Sequence, residues 1–251
     1  MDIGSAFLMI GAGLAAGAMN AAAGGGTFVT IPAMVAAGIP AVAANASSTV
    51  ALLPGTLASA WAWRQDFRSF EGVRLLTMVV ISLVGGLVGA ALLLVTSERL
   101  FDDLLPWLLL TGTLAFAFGR QAGEALRRRI ALGPRTVIGA QVPLAVYAGY
   151  FGGGVGIMMM AVWSLLGQSD IKAMSAARTL LVSAANAVAV IAFAVAGPIH
   201  WPETLVMGAA AVAGGYFGAR LARRVPGPVL RRFIIVFAAA MTAAFFWRAA
   251  G

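Results

Sequence analysis

Two runs of three glycines are the first residues in this chain whose type and spacing suggest chemistry. They are Gly24, Gly25 and Gly26, and Gly152, Gly153 and Gly154. Consecutive glycines interrupt a membrane helix, and broken backbone at membrane depth is tolerated where protein or a water-filled cavity satisfies its polar groups. The half-helix after each run would present free N–H groups and a positive dipole end, which favour an anion. The alternative is that these glycines only allow close helix packing.

Polar side chains form a second pattern. The run Asn45-Ala46-Ser47-Ser48-Thr49 corresponds to Ser175-Ala176-Ala177-Arg178-Thr179 later in the chain. We expect both runs at helix starts, where amide and hydroxyl groups cap the helix and can also donate to an oxyanion. Together with Asn20, which precedes the first glycine run, and Asn186, which follows the second polar run, these runs supply the uncharged candidates for substrate binding. The candidates are Asn20, Asn45, Ser47, Ser48, Ser175, Thr179 and Asn186.

Arg178 is the charged residue with the strongest functional signal. It precedes the apolar run Leu180-Leu181-Val182, and an arginine within or at the edge of a membrane span is costly. Its planar guanidinium suits sulfonate, carboxylate or phosphate oxygens. The alternative is an interfacial anchor whose side chain extends to the cytoplasmic membrane surface. The sequence leaves both hypotheses open.

Composition decides the class of protein that carries these residues. Of 251 residues, 61% are hydrophobic and 10% charged, and no cysteine and one histidine are present. A water-soluble enzyme could not cover its surface with so few charges, so we predict an integral membrane protein. No acid–base pair lies within an apolar segment, and we therefore predict no enzymatic activity, no cofactor and no metal site.

Ten apolar segments are bounded by charged residues, glycine or proline. Eight are long enough to cross a bilayer, whereas the second and seventh are short and resemble half-helices or re-entrant arms. The predicted segments are 5–23, 27–37, 48–63, 72–96, 104–119, 136–151, 154–166, 178–197, 203–222 and 229–248.

Basic residues predict the orientation. All except Arg99 and Arg248 fall in the gaps after the third, fifth, seventh and ninth segments, which places those gaps in the cytoplasm and both termini outside. The net charge of +8 therefore indicates topology and contact with lipid, and we predict no nucleic-acid partner.

The two halves of the chain resemble each other. The glycine runs are offset by 128 residues, the two polar runs by 130, and Gly85-Gly86 and Gly214-Gly215 by 129. Each repeat holds five segments, and an odd number requires the second copy to be inverted in the membrane. We predict an all-α polytopic membrane protein with repeats at 1–119 and 136–251 and a basic cytoplasmic linker at 120–135. Inverted repeats with short broken segments are typical of secondary transporters.

At these residues the chain resembles the TauE/SafE family of sulfite and organosulfonate exporters. The resemblance rests on residues 20–32, Gly38-Ile39-Pro40, residues 44–48 followed by Leu53-Pro54-Gly55, and residues 175–186. It implies a bacterial inner-membrane protein that exports small anions such as sulfite or sulfoacetate. The chain differs from the family pattern in having Ser47-Ser48 where members often have Asn-Lys, and in the residues flanking its second glycine run.

The sequence thus predicts a transporter that exports a small anion by alternating access, coupled to an ion or a proton, and the resemblance implies that this anion is sulfite or a two-carbon organosulfonate. An anion channel and a non-transporting membrane scaffold are the alternatives. The predicted partners are a small organic or inorganic anion and membrane lipid. The patterns Gly13…Gly17, Gly85…Gly89 and Gly214…Gly218 predict helix-packing faces. These glycine faces would serve either internal packing or a homodimer, and the sequence leaves that choice open.

Overall fold

A computed structural model describes residues 2–22, 25–68, 73–127, 134–165, 171–222 and 227–250. Within these residues the chain forms ten α-helices, which confirms the all-α prediction. A short 3₁₀ turn at Arg64–Asp66 follows the third. The helices are α1 (Ile3–Ala22), α2 (Thr27–Ala36), α3 (Ala41–Ala62), α4 (Leu75–Val95), α5 (Glu98–Arg127), α6 (Pro134–Tyr150), α7 (Val155–Leu165), α8 (Ile171–Ala196), α9 (Trp201–Ala222) and α10 (Gly227–Ala250).

Helix length separates two elements from the rest. In the described chain α2 has 10 residues and α7 has 11, whereas each of the others has at least 17. A full crossing of the hydrocarbon core needs about 20 residues, so α2 is short as predicted, and α7 has 11 residues up to Leu165, where that stretch of the described residues ends. By length and composition alone, four described helices could span a membrane: Ile3–Ala21, Ala41–Ala62, Leu75–Val95 and Ala173–Ala196.

Three helices extend well beyond their predicted segments. α3 begins at Ala41 and α8 at Ile171, so both polar runs lie inside helices and not at their first residues. Pro40 occupies the N-cap of α3 in an extended conformation, without a capping side chain. α5 continues to Arg127, so the first half of the predicted linker is helical, while residues 128–133 lie outside the described residues.

Glycines allow two helix pairs to pack with their backbones in contact. A Cβ atom added at Gly17 of α1 would lie 2.7 Å from the amide nitrogen of Gly215 in α9. One added at Gly85 of α4 would lie 2.5 Å from the Cβ of Ala145 in α6. These distances allow no side chain larger than hydrogen, which confirms the predicted packing role of these glycines. The same close approach occurs at Gly13, Gly89, Gly149 and Gly214.

The remaining contacts place α3 and α8 at the centre. These two helices pack against each other, α5 packs against α10 and α7, and α4 packs against α8. The largest fully buried side chains within the described residues include Phe28, Phe101, Phe151 and Phe193, which fill the space between these helices. Of the two short helices, α2 packs against α1 and α3, and α7 packs against α5, α6 and α8.

Candidate functional site

The first break in the helical backbone lies between α1 and α2. Gly25 has a φ of 102°, a conformation that favours glycine. The N–H of Gly26 donates to Oδ1 of Asn20 at 3.0 Å, and the hydroxyl of Thr30 donates to the carbonyl oxygen of Gly26 at 3.3 Å. Side chains of both flanking helices therefore satisfy the broken backbone. The break predicted from the glycine run is confirmed, although Gly24 lies outside the described residues.

The second break lies between α6 and α7. Gly152 and Gly154 have φ values of 74° and 75°. The Tyr147 hydroxyl donates to the carbonyl oxygen of Gly153 at 3.0 Å. The N–H groups of Ile157 and Met158 are the first to donate to Gly154, at 3.0 and 3.2 Å. The N–H groups that precede them point out of the start of α7, as in any helix.

The two breaks approach each other at Gly112 of α5. A Cβ atom added at Gly112 would lie 2.5 Å from Cζ of Phe28 in α2 and 3.2 Å from the carbonyl oxygen of Gly153. A Cβ atom at Gly154 would lie 3.0 Å from the Cα of Gly112. The start of α2 and the start of α7 therefore meet the same point of α5.

The polar run of α3 also connects the breaks. Nδ2 of Asn45 donates to the carbonyl oxygen of Tyr150 at 2.7 Å, at the end of α6. Ser48 hydrogen-bonds Thr30 of α2 through their hydroxyl oxygens. Asn45 and Ser48 are three residues apart and share one face of the helix. The structure thus brings both glycine runs and half of the α3 polar run into one region.

Ser47 lies on another side of α3. Its Oγ accepts a hydrogen bond of 3.1 Å from the backbone N–H of His200, just before α9. The side chain is fully buried there. Of the predicted site residues in α3, Ser47 is therefore the one that the structure does not bring to the breaks.

Arg178 lies across the first turn of α7. A Cβ atom added at Gly156 would be 2.8 Å from Cδ and 3.5 Å from Nε of Arg178. The side chain is half-buried. A guanidinium beside a helix N-terminus adds positive charge to the positive end of a dipole, so an anion between them would stabilise both.

The other predicted residues of α8 divide into two groups. The hydroxyl of Thr179 donates to the carbonyl oxygen of Ser175 at 2.7 Å, within the helix. Asn186 lies two turns further along and approaches the second break, where its Oδ1 is 3.9 Å from a Cβ atom added at Gly152. Asn186 is buried, whereas Ser175 and Thr179 are half-buried.

Four residues of this region were not among the sequence candidates. Thr30, Tyr147, Gly112 and Gly156 lie in apolar segments, and each acts through a contact with a different helix. Thr30 belongs to the motif that carries the family resemblance, which was the one available signal. The others have no local pattern that could have identified them.

Comparison with known proteins identifies the chain's relatives. The family model described as "Sulfite exporter TauE/SafE" matches residues 9–245, which confirms the resemblance noted in the sequence. A "Probable membrane transporter protein" of Haemophilus influenzae is 29% identical over 97% of this chain and 96% of that protein. "Probable membrane transporter protein YfcA" of Escherichia coli K12 is 28% identical over 91% of this chain and 84% of its own length. "Probable membrane transporter protein ORF9" of Sinorhizobium sp is 28% identical over 94% and 90%. No solved structure matches the chain.

Proposed function

The chain belongs to the TauE/SafE family of membrane transporters, and from that premise we propose that it exports sulfite or a two-carbon organosulfonate by alternating access. Transport is coupled to an ion or a proton. The protein resides in the bacterial inner membrane with both termini outside, because almost all basic residues then face the cytoplasm.

The contact between Arg178 and the start of α7 carries this proposal. The guanidinium provides up to five N–H donors in a planar fork, and the first turn of α7 provides backbone donors and the positive end of a dipole. Arg178 lies against Gly156 in that turn, which supports the proposal that both sets of donors bind the same anion. An oxyanion such as sulfite has several oxygens and can accept from both sets.

Other predicted residues have supporting roles in this proposal. Asn20 holds Gly26 by a hydrogen bond, and Ser48 holds Thr30. These bonds keep the first break open towards the start of α7, which it approaches through Phe28 and Gly112. The described backbone that lines the pathway comprises Gly25, Gly26, Gly152, Gly153 and Gly154. Ser47 ties α3 to the backbone before α9 by accepting from the N–H of His200, and Thr179 bonds the carbonyl oxygen of Ser175 within α8.

An inverted repeat at residues 1–119 and 136–251 would supply the two alternating states. Packing of α1 against α9 has its counterpart in packing of α6 against α4, as exchange of the repeats requires. Thr113 of α5 and Thr242 of α10 hydrogen-bond each other at 3.0 Å, and they are 129 residues apart, which is the repeat offset. Equivalent residues that meet in this way would lie on the axis relating the two repeats.

A binding measurement on the purified protein tests the site. Sulfite present at about 100 times its dissociation constant should raise the free energy of unfolding by about 2.7 kcal/mol. Arg178→Ala should abolish this stabilisation, and Arg178→Lys should restore only part of it because lysine lacks the planar fork. Arg64→Ala is the matched control, since Arg64 is exposed and stacks on Trp61 at 4.5 Å. Sulfoacetate, taurine, sulfate and carboxylate analogues would define the selectivity.

Two results would contradict the proposal. Stabilisation by sulfite that survives in Arg178→Ala would remove Arg178 from the site. If no anion stabilises the wild-type protein, the channel and scaffold hypotheses gain support. Proteoliposomes separate those two from a carrier, because a carrier saturates and accumulates substrate against its gradient by exchange, and a channel does neither.

A further inference from the structure

Two buried amide oxygens lie at the second break without a hydrogen-bond partner. Asn45 is 1% exposed and Asn186 is 8% exposed. Within the described residues, Oδ1 of each has no donor within hydrogen-bonding distance. Burying an acceptor oxygen costs free energy unless a hydrogen-bond donor or a cation binds to it, so each such atom requires an explanation.

Both oxygens lie near the C-terminal end of α6, although their residues belong to other helices. The carbonyl oxygen of Tyr150 can only accept, so the hydrogen bond of 2.7 Å fixes Nδ2 of Asn45 towards it and turns Oδ1 away. Oδ1 of Asn186 is 3.9 Å from a Cβ atom added at Gly152, two residues further along. The two side chains come from α3 and α8, which pack against each other.

At this break the C-terminal end of α6 and the N-terminal start of α7 carry partial charges of opposite sign. The C-terminal end of a helix carries a partial negative charge, and its last carbonyl groups have no partner within the helix. Unwound carbonyls and half-helix C-termini coordinate sodium ions in transporters that contain broken helices. Amide oxygens are hard, neutral ligands, which suit a small cation of single charge.

We propose that Oδ1 of Asn45 and Oδ1 of Asn186, together with main-chain carbonyl groups of residues 150–152, bind a sodium ion. The inference rests on the proposed function and deepens it by naming the coupling ion. The cation lies at the end of α6 and the anion at the start of α7, on the two sides of one break. Opposite charges this close stabilise each other, so each ion raises the affinity for the other by the same factor.

The first experiment measures sodium binding without any transported anion. Unfolding of the purified protein is followed while sodium chloride replaces choline chloride at constant ionic strength. Sodium at ten times its dissociation constant should raise the midpoint of unfolding by about 3 °C, and potassium should act more weakly. Equal midpoints in sodium and choline would overturn the inference.

Variants assign the effect to the two oxygens. Asn45→Leu and Asn186→Leu should each lower sodium affinity at least tenfold. Asn186→Asp should raise it about tenfold, and this variant keeps the test valid if the leucine variants do not fold. Gln141→Leu is the matched control, since Gln141 is a buried amide in α6 whose Oε1 also lacks a partner in the described chain. Gln141→Leu should leave sodium affinity unchanged, and an equal loss in this variant would contradict the assignment.

Adding sulfite separates the two proposals. If sulfite stabilises the protein through Arg178 but sodium has no effect, the cation site is wrong and the anion site stands. If sodium stabilises the protein through Asn186 but no anion does, the anion site is wrong and the cation site stands. If both bind, sodium at saturation should lower the dissociation constant of sulfite, and Asn186→Leu should abolish that change.

Discussion

At the scale of single residues, the proposed anion site depends on one close contact. Gly156 has no side chain, and Arg178 lies where a side chain at that position would be. Arginine can therefore approach the first turn of α7 as closely as backbone allows. A charge so close to the helix start acts on a bound anion together with the dipole, and both interactions weaken with distance.

Gly156→Ala tests this contact. The added methyl group would lie 2.8 Å from Cδ of Arg178 and would displace the guanidinium. We expect sulfite affinity to fall about tenfold, which corresponds to about 1.4 kcal/mol. Stability should not fall in parallel, because alanine favours helix over glycine by up to about 1 kcal/mol.

Gly55→Ala is the control for that substitution. Gly55 also lies in a helix, but an added Cβ atom would have no neighbour within 4 Å. It should gain helix stability and keep full sulfite affinity, as measured by ligand-dependent unfolding. An unchanged affinity in Gly156→Ala would contradict the assigned position of Arg178.

From the sequence we identified residues that are energetically unfavourable in a membrane helix. Residues whose role depends on partners far away in the chain were missed. Three glycines or one arginine in an apolar stretch violate a local rule and are therefore visible. Thr30 and Tyr147 violate no such rule, since a single hydroxyl in a membrane helix can bond to its own backbone. Their roles arise from contacts with Ser48 and with Gly153, which only the folded chain creates.

At the scale of helices, the boundaries show where local signals were misleading. The run at residues 45–49 predicted a helix start, because asparagine and serine favour caps. In the structure α3 starts at Ala41, and the side chains find partners on other elements. Asn45 bonds Tyr150, Ser48 bonds Thr30, and Ser47 accepts from His200. Tertiary hydrogen bonds thus replace the caps that the pattern favoured.

The seam between α1 and α9 yields a prediction at the same scale. In Gly17→Ala, the added Cβ atom would lie 2.7 Å from the nitrogen of Gly215, and rigid backbone cannot yield as a side chain can. The helices must separate, and overpacking of this kind costs about 1–3 kcal/mol. We expect the midpoint of thermal unfolding to fall by about 5 °C.

Gly11→Ala in the same helix provides the comparison. Gly11 is exposed and has no atom within 4 Å of an added Cβ. Its midpoint should stay the same or rise slightly. If both variants lose equal stability, close packing at Gly17 is not what holds α1 against α9.

At the scale of the whole molecule, the contact between Thr113 and Thr242 provides a test of symmetry. The chain contains no cysteine, so the pair Thr113→Cys and Thr242→Cys would be its only thiols. Their hydroxyl oxygens are 3.0 Å apart, and oxidation should therefore form a disulfide. To detect the disulfide, a protease site is inserted after Arg127 and the protein is cleaved there. The two fragments should then separate only after the disulfide is reduced.

Transport by the oxidised protein then tests the axis. Residues on the axis stay neighbours while the repeats exchange conformations, so the crosslinked carrier should retain most of its sulfoacetate exchange in proteoliposomes. Sulfoacetate is the substrate here because sulfite itself cleaves disulfides. Thr111→Cys with Thr242→Cys is the control, because the exposed Thr111 bonds Trp107 within α5. It should form no disulfide. Complete loss of exchange on oxidation of the first pair would contradict an axis at Thr113.

The pairing of α1 with α9 has a consequence for biosynthesis. Gly17 enters the membrane early, whereas Gly215, against which it packs, is made about 200 residues later. At roughly 5–20 residues per second, the ribosome needs about 10–40 s to reach it. During that interval the small-residue face of α1 contacts lipid or an insertase instead of its final neighbour. A chain interrupted before α9 would leave that face uncovered, which makes it a natural target for membrane quality control.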